Sequence, residues 1–199
     1  MHQLKINLLK KKILFIINPI SGGLNKTIFP SLIGKHLDLN IFDAQIIYSE
    51  YHGHAQTLAS EALADNFDIV VAVGGDGTIN EVASALESSG KIMGIIPCGS
   101  GNGLARTLKI PLKNILAVKR LNNLKTTKID VGVVNNRKFF NMAGMGFDAH
   151  ISALFANSQK RGFSGYFKST IKEIKSYKPQ EYVIEIDGKP RKEKAFMVL

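Results

Sequence analysis

Short apolar runs that end in glycine or small polar residues restrict the fold of this sequence more than any other feature. They occupy positions 13–17, 44–48, 69–73 and 92–96, and a helical pattern follows each run. Continuous apolar strands that alternate with helices form parallel sheets covered on both faces. We therefore predict an α/β fold with a parallel sheet. Its predicted helices include 54–64, 79–86 and one that begins near Gly103.

The pattern changes after about residue 126, where strand signals become more frequent. A first hairpin is predicted around Asn135-Asn136, from strands 128–134 and 138–142. A second turn, at Asp187-Gly188, lies between predicted strands at 182–186 and 195–199, and helices are predicted at 150–156 and 165–177. We thus expect an α/β domain over residues 1–125 and a β-rich domain over 126–199. Two separate hairpins do not readily close a sheet, so we expect the second domain to continue beyond Leu199.

Three glycine-rich loops follow predicted strands at positions 18–23, 74–78 and 99–102. Ligands of open parallel sheets bind at the carboxyl ends of the strands, where these loops would lie. A glycine loop that leads into a helix lets backbone N–H groups approach an anion closely. One such loop would be weak evidence, but three on one edge favour a phosphate pocket. Their spacing matches neither the Rossmann nor the P-loop pattern.

Asp76 is the unusual member of the middle loop, because a carboxylate beside phosphates repels them unless a cation lies between or the group takes up a proton. That position suggests handling of Mg²⁺ or a role as a base. Asp76 or Thr78 would equally well cap the helix that follows. Both interpretations stay open at this point.

Three ordered motifs carry a family resemblance. Positions 74–81 read GGDGTINE, Asn18-Pro19 precedes Ser21-Gly22, and positions 97–106 read PCGSGNGLAR. With these motifs the chain resembles the diacylglycerol kinase catalytic-domain family, which includes bacterial lipid kinases and the sphingosine and ceramide kinases. The resemblance extends from about Ile13 to the end of the chain, since Asp130 and the stretch 141–149 resemble the second domain of that family. It implies a nucleotide-binding domain of the NAD kinase and diacylglycerol kinase type, followed by a lipid-binding domain.

The resemblance also implies an activity, namely ATP- and Mg²⁺-dependent transfer of the γ-phosphoryl group to the hydroxyl of diacylglycerol or a sphingoid-type lipid. Asp76 is implied as the catalytic residue, as in the sphingosine kinase branch, whereas bacterial members use an acidic base and a structural Mg²⁺ site in a downstream segment without a counterpart here. The positions implied to bind the nucleotide are Asn18, Ser21, Gly22, Ser49, Gly74, Gly75, Asp76, Gly77, Thr78, Ile79, Asn80, Gly99, Ser100, Asn102 and Arg161.

Three further positions qualify this reading. Many bacterial members have Gly-Thr-x-Asn-Asp where this chain has Gly99-Ser100-Gly101-Asn102-Gly103, so Gly103 removes a carboxylate from the implied site. Arg161, with Lys160, would supply positive charge near the γ-phosphate, or would lie in a solvated basic turn. Asp148 would hydrogen-bond a lipid headgroup, or would cap a turn.

Composition restricts the remaining alternatives. Lys and Arg number 26 against 16 Asp and Glu, a net charge of +10 that attracts polyanions such as nucleotides or an anionic membrane. A single cysteine, Cys98, favours a reducing cytoplasm, with peripheral contact to the membrane that holds the lipid. The basic residues are scattered, so nucleic-acid binding is not expected. The alternatives are a non-catalytic nucleotide-binding relative and, with less support, an NAD kinase, because the NAD kinase segment after the second loop is missing.

Overall fold

A computed structural model of the chain describes residues 9–23, 25–156, 174 and 176–199. It divides into two compact units, Met1–Asn141 and Met142–Leu199. The domain boundary predicted after residue 125 stays a prediction. Each unit is described by itself below.

The first unit is built on a sheet of four strands, β1 (Lys11–Ile17), β2 (Phe42–Tyr48), β3 (Ile69–Gly74) and β4 (Ile92–Pro97). Their order is β2-β1-β3-β4, and all pairings are parallel. Ile17 lies opposite both Tyr48 and Val73, and Gly74 lies opposite Pro97. The four strands therefore end at one edge of the sheet, from which all the predicted loops leave. This confirms the predicted α/β class.

The described residues of the same unit form five α-helices. They are α1 (Phe29–His36), α2 (His54–Ala64), α3 (Asp76–Leu86), α4 (Gly103–Thr107) and α5 (Asn114–Leu121). The helices predicted at 54–64 and near Gly103 are confirmed. The helix predicted over 79–86 begins earlier, at Asp76, because Gly75 takes an extended backbone and serves as its N-cap. The Asp76-Gly77-Thr78 sequence, predicted as loop, thus forms the first turn of α3.

Alternating side chains of the strands build a core on each face of the sheet. Ile13, Phe15 and Ile17 of β1 belong to the cluster that includes residues of α1 and α5. Leu14 and Ile16 belong to the cluster that includes residues of α2, α3 and α4. Burying one such side chain stabilises the fold by about 1.5–3 kcal/mol. Two cores on one sheet explain why the central strands are apolar at every position over residues 13–17 and 69–73.

A short hairpin completes the first unit, with strands β5 (Gly132–Val134) and β6 (Arg137–Phe139). Asn135 and Asn136 both have positive φ, 47° and 62°, as a two-residue turn of type I′ requires. The predicted hairpin is confirmed, with shorter strands than expected. Lys138 of β6 donates to Glu87, at the end of α3, over 2.8 Å, which joins the hairpin to that helix.

The second unit contains β7 (Met145–Gly146), α6 (Phe147–Ala156), β8 (Gln180–Ile186), β9 (Lys189–Ala195) and β10 (Met197–Val198). The helix predicted at 150–156 is confirmed and begins at Phe147. The β-rich character expected for this part of the chain is confirmed as well. The helix predicted at 165–177 falls largely outside the described residues.

The strand predicted at 195–199 is wrong as the partner of β8. Asp187 and Gly188 form a tight turn with φ of 51° and 72°, so Lys189 pairs directly with Ile186 and β9 covers residues 189–195. The sequence of β9, KPRKEKA, is highly charged and its side chains are mostly exposed. An edge strand of this kind has no apolar alternation, which is why the sequence pattern did not predict it.

Candidate functional site

The loops at the carboxyl edge of the sheet pack backbone to backbone. A Cβ atom on Gly99 would lie 2.7 Å from the Cα of Gly75, and one on Gly75 would lie 3.3 Å from the Cα of Gly99. A Cβ atom on Gly22, whose φ is +61°, would collide with the carbonyl oxygen of Cys98. These contacts bring the three predicted glycine loops together. They also give a structural reason for glycine at these three positions.

Asn18 and Thr78 join the first loop to α3. The side-chain amide of Asn18 donates to the Thr78 hydroxyl over 3.0 Å, and its oxygen accepts the backbone N–H of Ile20 over 3.1 Å. The Ser21 hydroxyl donates to the carbonyl of Asn18 over 3.1 Å. Thr78 is buried. Three residues expected to bind a nucleotide thus also hold the loop in shape.

Asp76 accepts two hydrogen bonds from the loop after β4. Its Oδ2 accepts the backbone N–H of Asn102 over 2.8 Å, and its Oδ1 accepts that of Gly103 over 2.7 Å. These groups lie at the beginning of α4. The expected cap of the following helix is therefore wrong, because Asp76 caps α4 and not α3. Asp76 is otherwise exposed at the surface of the first unit.

Asn102 fixes the shape of the loop between β4 and α4. Its side-chain oxygen accepts the N–H of Gly99 over 2.8 Å, and its nitrogen donates to the carbonyl of Gly99 over 2.7 Å. The residue is buried and has a left-handed backbone, with φ of 54°. Ser100 is exposed at the tip of this loop. Because Asp76 occupies the amides of Asn102 and Gly103, these two groups are not available to a phosphate.

Open space lies over Gly77, in the first turn of α3. A Cβ atom there would meet no atom within 4 Å beyond its chain neighbours and the backbone of its own helix, and the residue is exposed. The amides of the first turn of a helix have no acceptors within the helix. Ile79 is buried in the core, and Asn80 is half-buried. Gly77 is therefore a glycine that protein packing does not explain.

A cleft of about 190 Å³ lies beside these loops, between the segment 18–20, the segment 49–52 and Glu81. Ser49 is buried, and its backbone N–H donates to the carbonyl of Ile17 over 2.9 Å. Ile20 is 74% exposed and Tyr51 is 62% exposed. The ring of Tyr51 stacks on His54 with a centroid distance of 4.4 Å. The cleft therefore combines an aliphatic and an aromatic side chain with polar groups.

Two charged residues of this region were missed in the sequence analysis. Glu81 accepts the backbone N–H of Gly53 over 3.1 Å and contacts His52 over 3.0 Å. Lys26 is 3% exposed and donates to the carbonyl of Ser21 over 2.6 Å. The GGDGTINE motif contains Glu81 and could have indicated it, whereas nothing in the sequence indicated the burial of Lys26, because lysine is normally expected in solvent.

Burial raises the pKa of the Cys98 thiol, and the charge of Lys26 opposes that effect.

Gly103 is explained by Asn141. A Cβ atom on Gly103 would collide with the side-chain nitrogen of Asn141, whose oxygen accepts the Thr107 hydroxyl over 3.4 Å. The carboxamide of Asn141 thus fills the space that a side chain at position 103 would need. The carboxamide of Asn141, two residues after the end of β6, therefore lies where many bacterial members have the carboxylate of position 103.

Two further predicted site residues are Asp148 and Arg161. Asp148 lies in the second unit, half-buried in the first turn of α6, and its Oδ2 lies 3.0 Å from where a Cβ of Gly144 would be. Arg161 lies outside the described residues. Within residues 9–23, 25–156, 174 and 176–199, no group of three or more His, Cys, Asp or Glu could hold a metal ion.

The family of the chain follows from a match over more than half of its sequence. The family model for the diacylglycerol kinase catalytic domain matches residues 12–134. The chain belongs to this family. Its α/β sheet, its three loops and the matched region coincide, so the resemblance of the motifs is confirmed. This member of the diacylglycerol kinase family nevertheless departs from many bacterial members at Gly103.

Curated relatives agree with this assignment. The diacylglycerol kinase of Bacillus subtilis (strain 168) is 35% identical over 191 residues, which cover 90% of this chain and 61% of the relative. The diacylglycerol kinase of Staphylococcus haemolyticus is 37% identical over 134 residues, 66% of this chain and 40% of that one. This family member therefore spans about three fifths or less of the length of these relatives.

Solved structures resemble the fold as well. The crystal structure of a diacylglycerol kinase from Bacillus anthracis str. Sterne matches with a TM-score of 0.68 at 26% identity, over 94% of this chain and 62% of that one. In the described part of this chain, no helix is long and apolar enough to cross a membrane.

Proposed function

We propose that this protein is an ATP- and Mg²⁺-dependent lipid kinase that transfers the γ-phosphoryl group to a lipid hydroxyl. The observation that carries this proposal is the glycine-rich beginning of α3 at the carboxyl edge of the sheet, where space is open over Gly77 and the N-cap residue Gly75 provides no side-chain cap. A helix N-terminus with free amides and no side chain in front of it suits a phosphate group. Family membership supports the same chemistry.

The nucleoside would occupy the cleft between the segments 18–20 and 49–52. Its exposed Ile20 and Tyr51 give an aliphatic and an aromatic surface for a base, and Asn18 and Ser49 give polar groups. Ligand sites are commonly apolar with a few placed polar groups. The phosphates would then extend toward Gly75, Gly77 and Thr78.

Asp76 is our candidate for the catalytic residue. Each of its oxygens accepts one N–H, and a carboxylate offers about four lone-pair sites in all. The remaining lone pairs of the carboxylate would contact either Mg²⁺ or the acceptor hydroxyl. Mg²⁺ neutralises charge on the phosphates when it is bound. In the transfer, the bond from the γ-phosphorus to the bridging oxygen breaks and its electron pair leaves with ADP, a bond to the lipid oxygen forms, and the hydroxyl proton passes to the Asp76 carboxylate as the base.

The lipid acceptor would be diacylglycerol or a sphingoid-type lipid at a membrane surface. The net charge of +10 favours approach to an anionic membrane. We further propose that the protein acts in the cytoplasm and contacts the membrane only peripherally. Asp148 and Arg161 stay candidates for contacts with the headgroup and the γ-phosphate.

The experiment is an assay of phosphoryl transfer from radiolabelled ATP, with Mg²⁺, to diacylglycerol or sphingosine in anionic vesicles. We expect a labelled lipid product, and a loss of about 100-fold or more for Asp76→Asn, as is typical when a charged group of the reacting centre is removed. The same assay on Asp148→Asn tests the residue that is the candidate for contact with the lipid headgroup. ATP binding without transfer to either lipid would instead support a non-catalytic nucleotide-binding protein, and phosphorylation of NAD would support the NAD kinase alternative.

A further inference from the structure

We infer that Glu81 is a positioning residue of the cleft, which holds the loop 49–53 in place from the neighbouring helix. This inference rests on the proposed nucleotide site and adds a residue whose role acts through that loop. Glu81 lies in the second turn of α3, whereas the groups it contacts precede α2. The contact therefore joins two elements that lie side by side in the fold.

The N-cap residue of α2 provides no side-chain cap for this helix. Its N-cap is Gly53, which has a left-handed backbone with φ of +86° and no side chain to accept a hydrogen bond. An N–H group at a helix N-terminus needs an acceptor from elsewhere. Glu81 supplies one, because its Oε1 lies 3.1 Å from the nitrogen of Gly53.

Burial distinguishes the two partners of Glu81. The side chain of Glu81 is 17% exposed, whereas that of His52 is 99% exposed. An ion pair with a fully exposed partner contributes little. The contact with Gly53 is partly buried, and a hydrogen bond from an amide to a charged acceptor is among the stronger ones. The backbone contact is thus the one that fixes the loop.

Two other side chains of α3 also make hydrogen bonds to neighbouring loops. Asp76 caps α4, which also has no side-chain cap within its own loop. Thr78 accepts from Asn18 in the loop after β1. Side chains of α3 therefore contact each of the three neighbouring loops, and Glu81 is the one that contacts the loop carrying Ser49 and Tyr51.

Loss of this contact should loosen one wall of the cleft without disturbing the core. Glu81 itself lines the cleft, as do residues 49–52. Loss of a hydrogen bond to a charged acceptor changes an equilibrium constant by about tenfold. We therefore expect the affinity for ATP to fall by about that factor, with little change in the rate of a transfer step that takes place at Asp76.

The test compares Glu81→Ala, Glu81→Gln and Glu87→Gln with the unchanged protein. Glutamine keeps an oxygen for the Gly53 amide and removes the charge, so it should restore most of what alanine loses. Glu87 lies at the end of the same helix and pairs with Lys138, which makes its glutamine variant the control for loss of a carboxylate. The two readouts are hydrogen exchange of the Gly53 amide and calorimetric titration with Mg-ATP.

We expect faster exchange at Gly53 and weaker ATP binding for Glu81→Ala alone. Unchanged exchange at Gly53 would overturn the inference, and so would faster exchange with unaltered ATP affinity, since the loop would then not shape the site. If the unchanged protein bound no ATP, the proposed function would fail, and a link between Glu81 and the nucleotide would fail with it. Melting temperatures within a few degrees of each other confirm that all variants are folded.

Discussion

Gly22 and Gly23 are a matched pair for mutation, because both have a positive φ and they differ in the space around an added Cβ atom. Both have positive φ, 61° and 66°, yet an added Cβ collides with the Cys98 carbonyl at Gly22 and meets nothing within 4 Å at Gly23. A positive φ costs an alanine about 1–2 kcal/mol at either position. We expect Gly22→Ala to lower the melting temperature by several degrees more than Gly23→Ala, as measured by circular dichroism. Equal decreases would mean that the two loops are not in contact.

The roles of single residues were predictable from the sequence only where the residue type itself indicates them. Glycines at 22, 75 and 99 indicated the loops because a close backbone approach leaves only glycine as a choice. The burial of Lys26 was not predictable, since it depends on a carbonyl that the folded loop provides. The role of Asp76 as a cap for α4 was also missed, because its partners are 26 and 27 residues away in the sequence.

The link between α3 and the β5–β6 hairpin should depend on pH. The hydrogen bond from Lys138, followed by that from Ser88, lowers the pKa of Glu87 below its ordinary value of 4.5. A lowered pKa gives stability that is present above the pKa of the unfolded chain and is lost as the pH falls through the folded value. The unchanged protein should therefore melt above Glu87→Gln at pH 6, and the difference should shrink as the pH falls below 4.5. A difference that does not depend on pH would rule out the ion pair as its cause.

Elements were predictable where they depend on local patterns. The parallel strands and the turn at Asn135-Asn136 followed from apolar runs and turn residues, and they are confirmed. The beginning of α3 was placed too late, because Asp-Gly-Thr has low helix propensity and only the tertiary site makes it helical. Strand β9 was missed, since its pairing depends on the tight turn at Asp187-Gly188 and on no apolar alternation of its own.

At the scale of the whole molecule, Cys98 reports on unfolding. Its thiol is buried, and burial raises its pKa, so reaction with an alkylating reagent requires the first unit to open. A ligand of the native state slows such opening, by about 100-fold at a concentration 100 times its Kd. We expect alkylation of Cys98 to be slow and to become slower still with saturating Mg-ATP. Fast labelling that ATP does not affect would show that the thiol is accessible in the native state.

We propose above all that phosphate groups bind against the open backbone at the beginning of α3. Gly77→Ala tests it most directly, since the added methyl group meets no atom within 4 Å beyond its chain neighbours and the backbone of its own helix, and alanine stabilises a helix by up to about 1 kcal/mol relative to glycine. Calorimetric titration of the folded variant with Mg-ATP should show a loss of affinity of at least tenfold, at an equal or higher melting temperature. Binding of Mg-ATP to Gly77→Ala with the affinity of the unchanged protein would contradict the claim.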